Sequence, residues 1–286
     1  YGLDQLLSPE HRVLVEEVSG RRGGVLSAQQ LLWMHDEHHR GNKTAHLQLG
    51  RRDLPSFGLT AIPSTFSTPG GRGLGLTDAE IRVQVAVIAD GHFGSSSNQC
   101  VVRLKRERKK TRLRALLTDA GISWEELSPE YKTAKGFSIF KFIAPRREKE
   151  FTAEWWECTP AQRKVVSDEV FRWDGSDRGD NALEFCSTSK ISADFVQYVW
   201  TSCGRIASLN LSHSERHKPV YVVRARRGRN GHLKTGISPK GSAPTMWVEP
   251  STDGFKYCFK VPSTFLVFRR NGCVFASGNT AKTAAA

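Results

Sequence analysis

The hydrophobic pattern of residues 77–121 passes through three textures in order, and residues 159–204 pass through the same three. Each copy begins with an apolar run, "IRVQVAVIADGHFG" or "RKVVSDEVFRWDGS", that follows a helix start. Thr77 stands three residues before Glu80, and Thr159 three before Gln162 with Pro160 at the first helical position, so both fit a capping box. Both helices end in Asp-Gly, at Asp90-Gly91 and Asp174-Gly175. A glycine there predicts an exit from the helix with positive φ. A β-rich stretch comes next, "QCVVRLKRE" or "NALEFCSTSK", and then an amphipathic helix, "KKTRLRALLTDAG" or "SADFVQYVWTSCG". These helices stop at Gly121 and Gly204, 31 and 30 residues after their aspartates, and a short strand follows each, "GFSIFKFIAP" and "RIASLNLS". The unit predicted is α-β-α-β or a close variant, used twice.

The flanks read differently. Near the end, "GFKYCFKVPSTFLVFRRNGCVFASGNT" alternates apolar and polar residues across Asn271-Gly272, which predicts a β-hairpin. Near the start, "LSPEHRVLVEE" predicts a turn entering a strand, and "VLSAQQLL" a short helical stretch. His35, His38 and His39 in "MHDEHHRG" read as a surface loop, residues 55–75 as a Pro/Gly/Ser/Thr-rich linker, and residues 224–244 as a basic, glycine-rich loop.

Charge then narrows the function classes. The 286 residues carry 42 Lys and Arg against 29 Asp and Glu, a net charge of +13, which points to a polyanion such as duplex DNA or RNA. No apolar run approaches the roughly 18 residues of a membrane span, so a soluble, intracellular protein without membrane contact is expected. Six cysteines without a CxxC pair argue against a zinc knuckle or a disulfide framework. The length suggests two compact units, and a start at Tyr1 instead of Met suggests a processed or truncated chain.

The duplicated helix ending in Asp-Gly and followed by strands resembles the LAGLIDADG homing endonucleases. Asp90 and Asp174 lie 84 residues apart, about one αββαββα half of that family. The resemblance implies paired motif helices between two halves, strand saddles along the DNA major groove, and Asp90 and Asp174 as ligands for Mg²⁺ or another divalent cation. Hard cations prefer carboxylate oxygen and water, and a carboxylate from each helix end can share metal between two active sites. Basic residues on the sheets would meet phosphates and base edges. Here these are Arg103, Lys105, Arg106, Arg108, Lys109 and Lys110, with Lys135, Lys141 and Lys190 as further contacts. Trp173 departs from the family's small residue before the aspartate and would crowd a close helix pair. Val85 and Glu169 replace its interior glycine.

The flanks resemble an intein, a protein-splicing domain of the Hint type. Asn279 matches the cyclising residue and Thr280 the acceptor nucleophile, while "AKTAAA" at 281–286 would be flanking host sequence. Ser8 and His11 match the Thr-x-x-His block that activates the upstream scissile bond. Gly278 stands where inteins carry histidine, so another group must assist cyclisation. Cys258 lies where inteins often have aspartate, either as a branching nucleophile or as a buried strand thiol. The architecture expected is α+β: a mostly-β Hint domain from residues 1–70 and 216–280, interrupted by a duplicated αββαββα nuclease at 71–215. The partners implied are double-stranded DNA, a separate N-terminal intein fragment and the flanking host protein, with the chain a monomer.

Overall fold

The computed structural model describes residues 6–16, 23–39, 57–60, 71–94, 98–127, 136–177, 182–214, 217–226, 230–233, 248–255, 257, 259, 261, 264–270 and 272–278. The chain folds as α+β and divides into two compact units. The first comprises Tyr1–Phe66, Gly204–Ile206 and Arg227–Ala286, and the second Ser67–Cys203 and Ala207–Arg226. The first unit opens with strand β1 (Arg12–Glu16) paired antiparallel with β2 (Gly23–Ser27), which leads directly into helix α1 (Ala28–His39). "VLS" therefore belongs to a strand, and the helix starts one residue later. Ser27 and Gln30 cap it reciprocally, with Ser27 N–H donating to Gln30 Oε1 at 2.8 Å and Gln30 N–H to Ser27 Oγ at 3.1 Å. The same helix carries the backbone of His35, His38 and His39, where a loop was expected. Strand β3 (Phe57–Thr60) lies inside the expected linker.

The second unit is built twice over. Its first copy runs α2 (Asp78–Asp90), β4 (Gly91–Phe93), β5 (Gln99–Leu104), α3 (Glu107–Asp119), β6 (Trp124–Leu127) and β7 (Ser138–Ile143). The second runs α4 (Pro160–Trp173), β8 (Gly175–Asp177), β9 (Ala182–Ser187), α5 (Lys190–Ser202), β10 (Ile206–Ser214) and β11 (His217–Arg226). The sheets are ordered β4-β5-β7-β6 and β8-β9-β11-β10, the same order in both copies. Because β11 pairs with β9, this unit runs past residue 215 to Arg226. Both predicted capping boxes form, at Thr77/Glu80 and Thr159/Gln162. One core of buried side chains spans the two copies, from Ile81 and Val87 on α2 through Phe140 on β7 to Phe195 and Trp200 on α5.

Gly121 and Gly204 end their helices with φ of 65° and 79°, as the sequence predicts. Gly91 does not, having φ −76° and ψ 159°, and Gly175 is not among the positive-φ residues. Their requirement is space. A Cβ on Gly91 would lie 2.6 Å from the Val87 carbonyl oxygen and 2.8 Å from Cys100 Sγ, and one on Gly175 would lie 2.6 Å from both the carbonyl oxygen and Cα of Phe171. Each chain turns from helix to strand hard against its own last turn. Gly175→Ala is expected to cost about 1–3 kcal/mol through this overlap, read as a lowered urea midpoint. An unchanged midpoint would refute the steric account.

The first unit continues with β12 (Asn230–Leu233), which pairs antiparallel with β3, and with β13 (Phe265–Arg270) and β14 (Cys273–Gly278). The stretch at 224–244 thus holds the end of β11 and all of β12. The hairpin at Asn271-Gly272 forms as predicted, with Arg270 opposite Cys273 and Gly272 at φ 73°. Strand β1 packs beside β3 and β14, which brings the start of the chain against its last strand.

Candidate metal centre

Helices α2 and α4 pack against one another and carry Asp90 and Asp174 at their C-terminal ends. Val85, Ile88 and Ala89 of α2 and Val170 and Trp173 of α4 line a small cleft shared with Asp174. Asp174 reaches solvent, yet partial burial beside the helix ends, reinforced by the negative charge of Asp90, pushes its carboxyl pKa up. The two carboxylates are therefore electrostatic neighbours. Lys109 and Lys149 oppose that shift with positive charge.

Both lysines are tied to the end of α2. Lys109, in the first turn of α3, pairs its Nζ with Asp90 Oδ2 at 2.5 Å and lies 5.5 Å from the centroid of the Trp173 ring. Lys149, in the connector after β7, donates to the Val87 and Ile88 carbonyls at 2.7 and 2.8 Å. An ammonium there satisfies carbonyls that a helix end leaves open and complements its dipole. Burial lowers the Lys149 pKa, while Cys100, Asp174 and Asp90 pull it back up. Cys100 lies under the same turn, where burial pushes its thiol up to about 11. Nothing in the spacing of "RREKE" marks Lys149 out from its neighbours.

Glu169 and Trp173, the departures from the motif in the second copy, meet each other. Glu169 is fully buried and accepts from Trp173 Nε1 at 2.8 Å, from Arg112 Nε at 3.1 Å and from Arg82 Nη1 at 3.4 Å, with a further pairing to Arg112 Nη2. The indole is turned onto a carboxylate of its own helix one turn back, so it does not hold α2 and α4 apart.

The basic run is divided among several tasks. Arg103, Lys105 and Arg106 are exposed, with Lys105 lying 5.8 Å from the Phe137 ring centroid. Arg108 donates to the Arg172 carbonyl at 2.9 Å, next to the Asp174 helix end. Lys110 is buried and pairs with Glu107 at 3.3 Å. Lys141 pairs with Glu125 at 3.5 Å and Lys190 with Asp194 at 2.6 Å. Lys135 lies outside the described residues.

In the first unit, His11 Nε2 is hydrogen-bonded to Ser277 Oγ at 2.7 Å, a link between residues 266 positions apart. Burial, with Arg12 adding positive charge, lowers the His11 pKa and favours the neutral imidazole. A Cβ on Gly278 would lie 2.7 Å from the Arg12 carbonyl oxygen, so no histidine fits at that position. Asn279, Thr280 and Cys258 lie outside the described residues.

A hard divalent cation needs oxygen ligands, and Mg²⁺ is commonly held by one or two carboxylates completed by water and substrate phosphates. Asp90 and Asp174 supply such a pair. No group of three or more His, Cys, Asp or Glu side chains gathers around a common point among the described residues.

No protein-family model matches the chain, and no curated protein matches it. Among solved structures it is similar to mesophilic variants of the homing endonuclease I-DmoI, with a TM-score of 0.38 and 11% identity over 52% of this chain and 89% of that one. A structure of I-DmoI in complex with DNA and Mn matches with a TM-score of 0.37, 11% identity and the same coverage of both chains. The N-terminal LAGLIDADG domain of DUF199/WhiA matches with a TM-score of 0.37 and 12% identity over 58% of this chain and 81% of that one.

Proposed function

We propose that the second unit is a site-specific endonuclease of the LAGLIDADG type, cutting double-stranded DNA with divalent cations held by Asp90 and Asp174. The observation that carries this reading is the pair of carboxylates on duplicated, packed helix ends, close enough that the charge of Asp90 helps to raise the pKa of Asp174, with two lysines beside them. A divalent cation bound there supplies Lewis acidity toward a phosphoryl oxygen. Asp90 and Asp174 hold and orient it. Lys109 and Lys149 would place positive charge beside a phosphate that gains negative charge as it becomes pentacoordinate. Arg103 and Arg106 extend that charge over the sheet and toward the backbone of a duplex.

The test begins with duplexes selected from a random library by binding to the full chain. Incubation of a selected duplex with Mg²⁺ should give a double-strand break, and EDTA should prevent it. A duplex that stays bound and intact in Mg²⁺ and in Mn²⁺ would overturn nuclease action. It would favour a DNA-binding protein that no longer cuts, a second reading supported by the Lys109 ammonium seated on Asp90.

We further propose that the first unit is a Hint-type splicing domain that cyclises Asn279 and uses Thr280 as acceptor, working inside the cell with an N-terminal intein fragment and the flanking host protein. Supporting it is the His11–Ser277 hydrogen bond, which joins the activating histidine to the strand that ends just before Asn279. Intact mass should reveal a product ending at Asn279, lost in Asn279→Ala. A full-length mass after prolonged incubation would count against the reading.

A further inference from the structure

The two sheets of the second unit present chemically different outer faces. Residues directly opposite in an antiparallel ladder share a face, so the pairings of β4 to β7 define the outer rows. Val101 lies between His92 and Lys141, which pairs with Glu125 beyond it, Arg103 faces Ile139, which in turn faces Leu127, and Gln99 faces Ile143. The alternate residues Cys100, Val102, Phe140 and Phe142 are buried, which confirms the assignment of the faces. Four branched aliphatic side chains therefore occupy the open face: Val101, Leu127, Ile139 and Ile143, the last 60% exposed. Arg103 stands among them and is exposed. In the second sheet the corresponding rows hold Ser176, Glu184 and Arg224, with Arg224 Nε donating to Glu184 Oε2 at 2.8 Å, Arg226 opposite Ala182, and the exposed Cys186 opposite a buried Val222, so its accessible side chains are mainly polar.

The aliphatic face is joined to the candidate centre by the chain itself, because His92 follows Asp90 by two residues. With Arg103 at its middle and a net charge of +13 behind it, the face suits a polyanion. In the major groove of B-DNA the apolar group offered by a base edge is the thymine methyl, and the best partner of an arginine fork is guanine O6 and N7. We propose that the β4–β7 sheet reads a thymine-rich half-site through Val101, Leu127, Ile139 and Ile143, with one guanine facing Arg103. The β8–β11 sheet reads its half through polar and charged groups, so the target is not a palindrome. This inference rests on the DNA-binding reading above.

The experiment is a selection of duplexes from a random library by the full chain, followed by replacement of each thymine in the selected site with deoxyuridine, which lacks only the methyl group. The expected site has one thymine-rich half, and deoxyuridine there weakens binding by about tenfold while substitution in the other half changes little. Ile143→Ser, at a position 60% exposed, should lose the effect of deoxyuridine at one or two positions of that half alone, with the urea midpoint of the variant checked to separate this from a loss of folding. A palindromic site, or one indifferent to the methyl groups, overturns the inference and leaves DNA binding standing. Failure to enrich any duplex overturns the DNA-binding reading itself.

Discussion

Glu169→Ala is expected to destabilise the second unit by about 3 kcal/mol, the lower end of the range for breaking a buried ion pair. The carboxylate is fully buried and receives two guanidinium groups and an indole N–H. Removing it leaves Arg82, Arg112 and Trp173 without the acceptor they share, and a cavity forms between helices. The arginine side chains are 31% and 29% exposed, so they regain some hydration and the loss stays below the top of the range. Urea unfolding followed by tryptophan fluorescence measures it directly. Glu169→Gln keeps the shape and one acceptor, and should lose less. If Glu169→Ala shifted stability by under about 1 kcal/mol, the network would be no more than an exposed pair in energetic terms.

Asp90→Asn and Asp174→Asn should each lower Mg²⁺-dependent cleavage of a selected duplex by more than about a hundredfold, beyond the loss typical of an outer-shell partner. An amide keeps the size and one acceptor of the carboxylate but not the charge that draws a cation from water. Duplex binding should survive, since each change removes a negative charge facing phosphate. The two variants should differ in one respect. Asp90→Asn frees Lys109 from its ion pair, so it should strengthen salt-sensitive binding more than Asp174→Asn, which has no direct ammonium contact of that kind among the described residues. Full cleavage by the double variant would sink the assignment of the centre.

What the sequence made legible was local. The capping boxes at Thr77 and Thr159, the helix stops at Gly121 and Gly204, and the hairpin at Gly272 depend on interactions a few residues apart, and each forms as expected. Gly91 and Gly175 were legible as glycines but not in their reason, because the obstruction is set by the path of the turn and, for Gly91, by Cys100 on β5. The basic run promised more open charge than exists. Only the Lys110–Glu107 pair is local, three residues apart on α3; the pairings of Lys109 with Asp90, Arg112 with Glu169 and Arg114 with Glu126 arise from how α3 packs against the other helices and β6. Lys149 was missed for the same reason, since its partners are carbonyls 61 and 62 residues away. Strands β3 and β12 were hidden by glycine-rich and polar surroundings. Their ladder satisfies backbone groups without needing an apolar signature.

The Glu169 network also bears on how two halves of one gene product recognise each other. The acid stands on the second helix and its two bases on the first copy, at Arg82 and Arg112. The matching stretches of the second copy hold Val166, Phe195 and Val196, all fully buried, and the matching place on α2 holds Val85. A protein assembled from two second halves would bury two carboxylates with no cation near them, and one assembled from two first halves would set guanidinium groups against valine. Each mismatched union leaves a charge stranded in the interior, a penalty that the proper union escapes. The two copies share one order of elements, yet their buried charges form a lock that admits only the unlike partner.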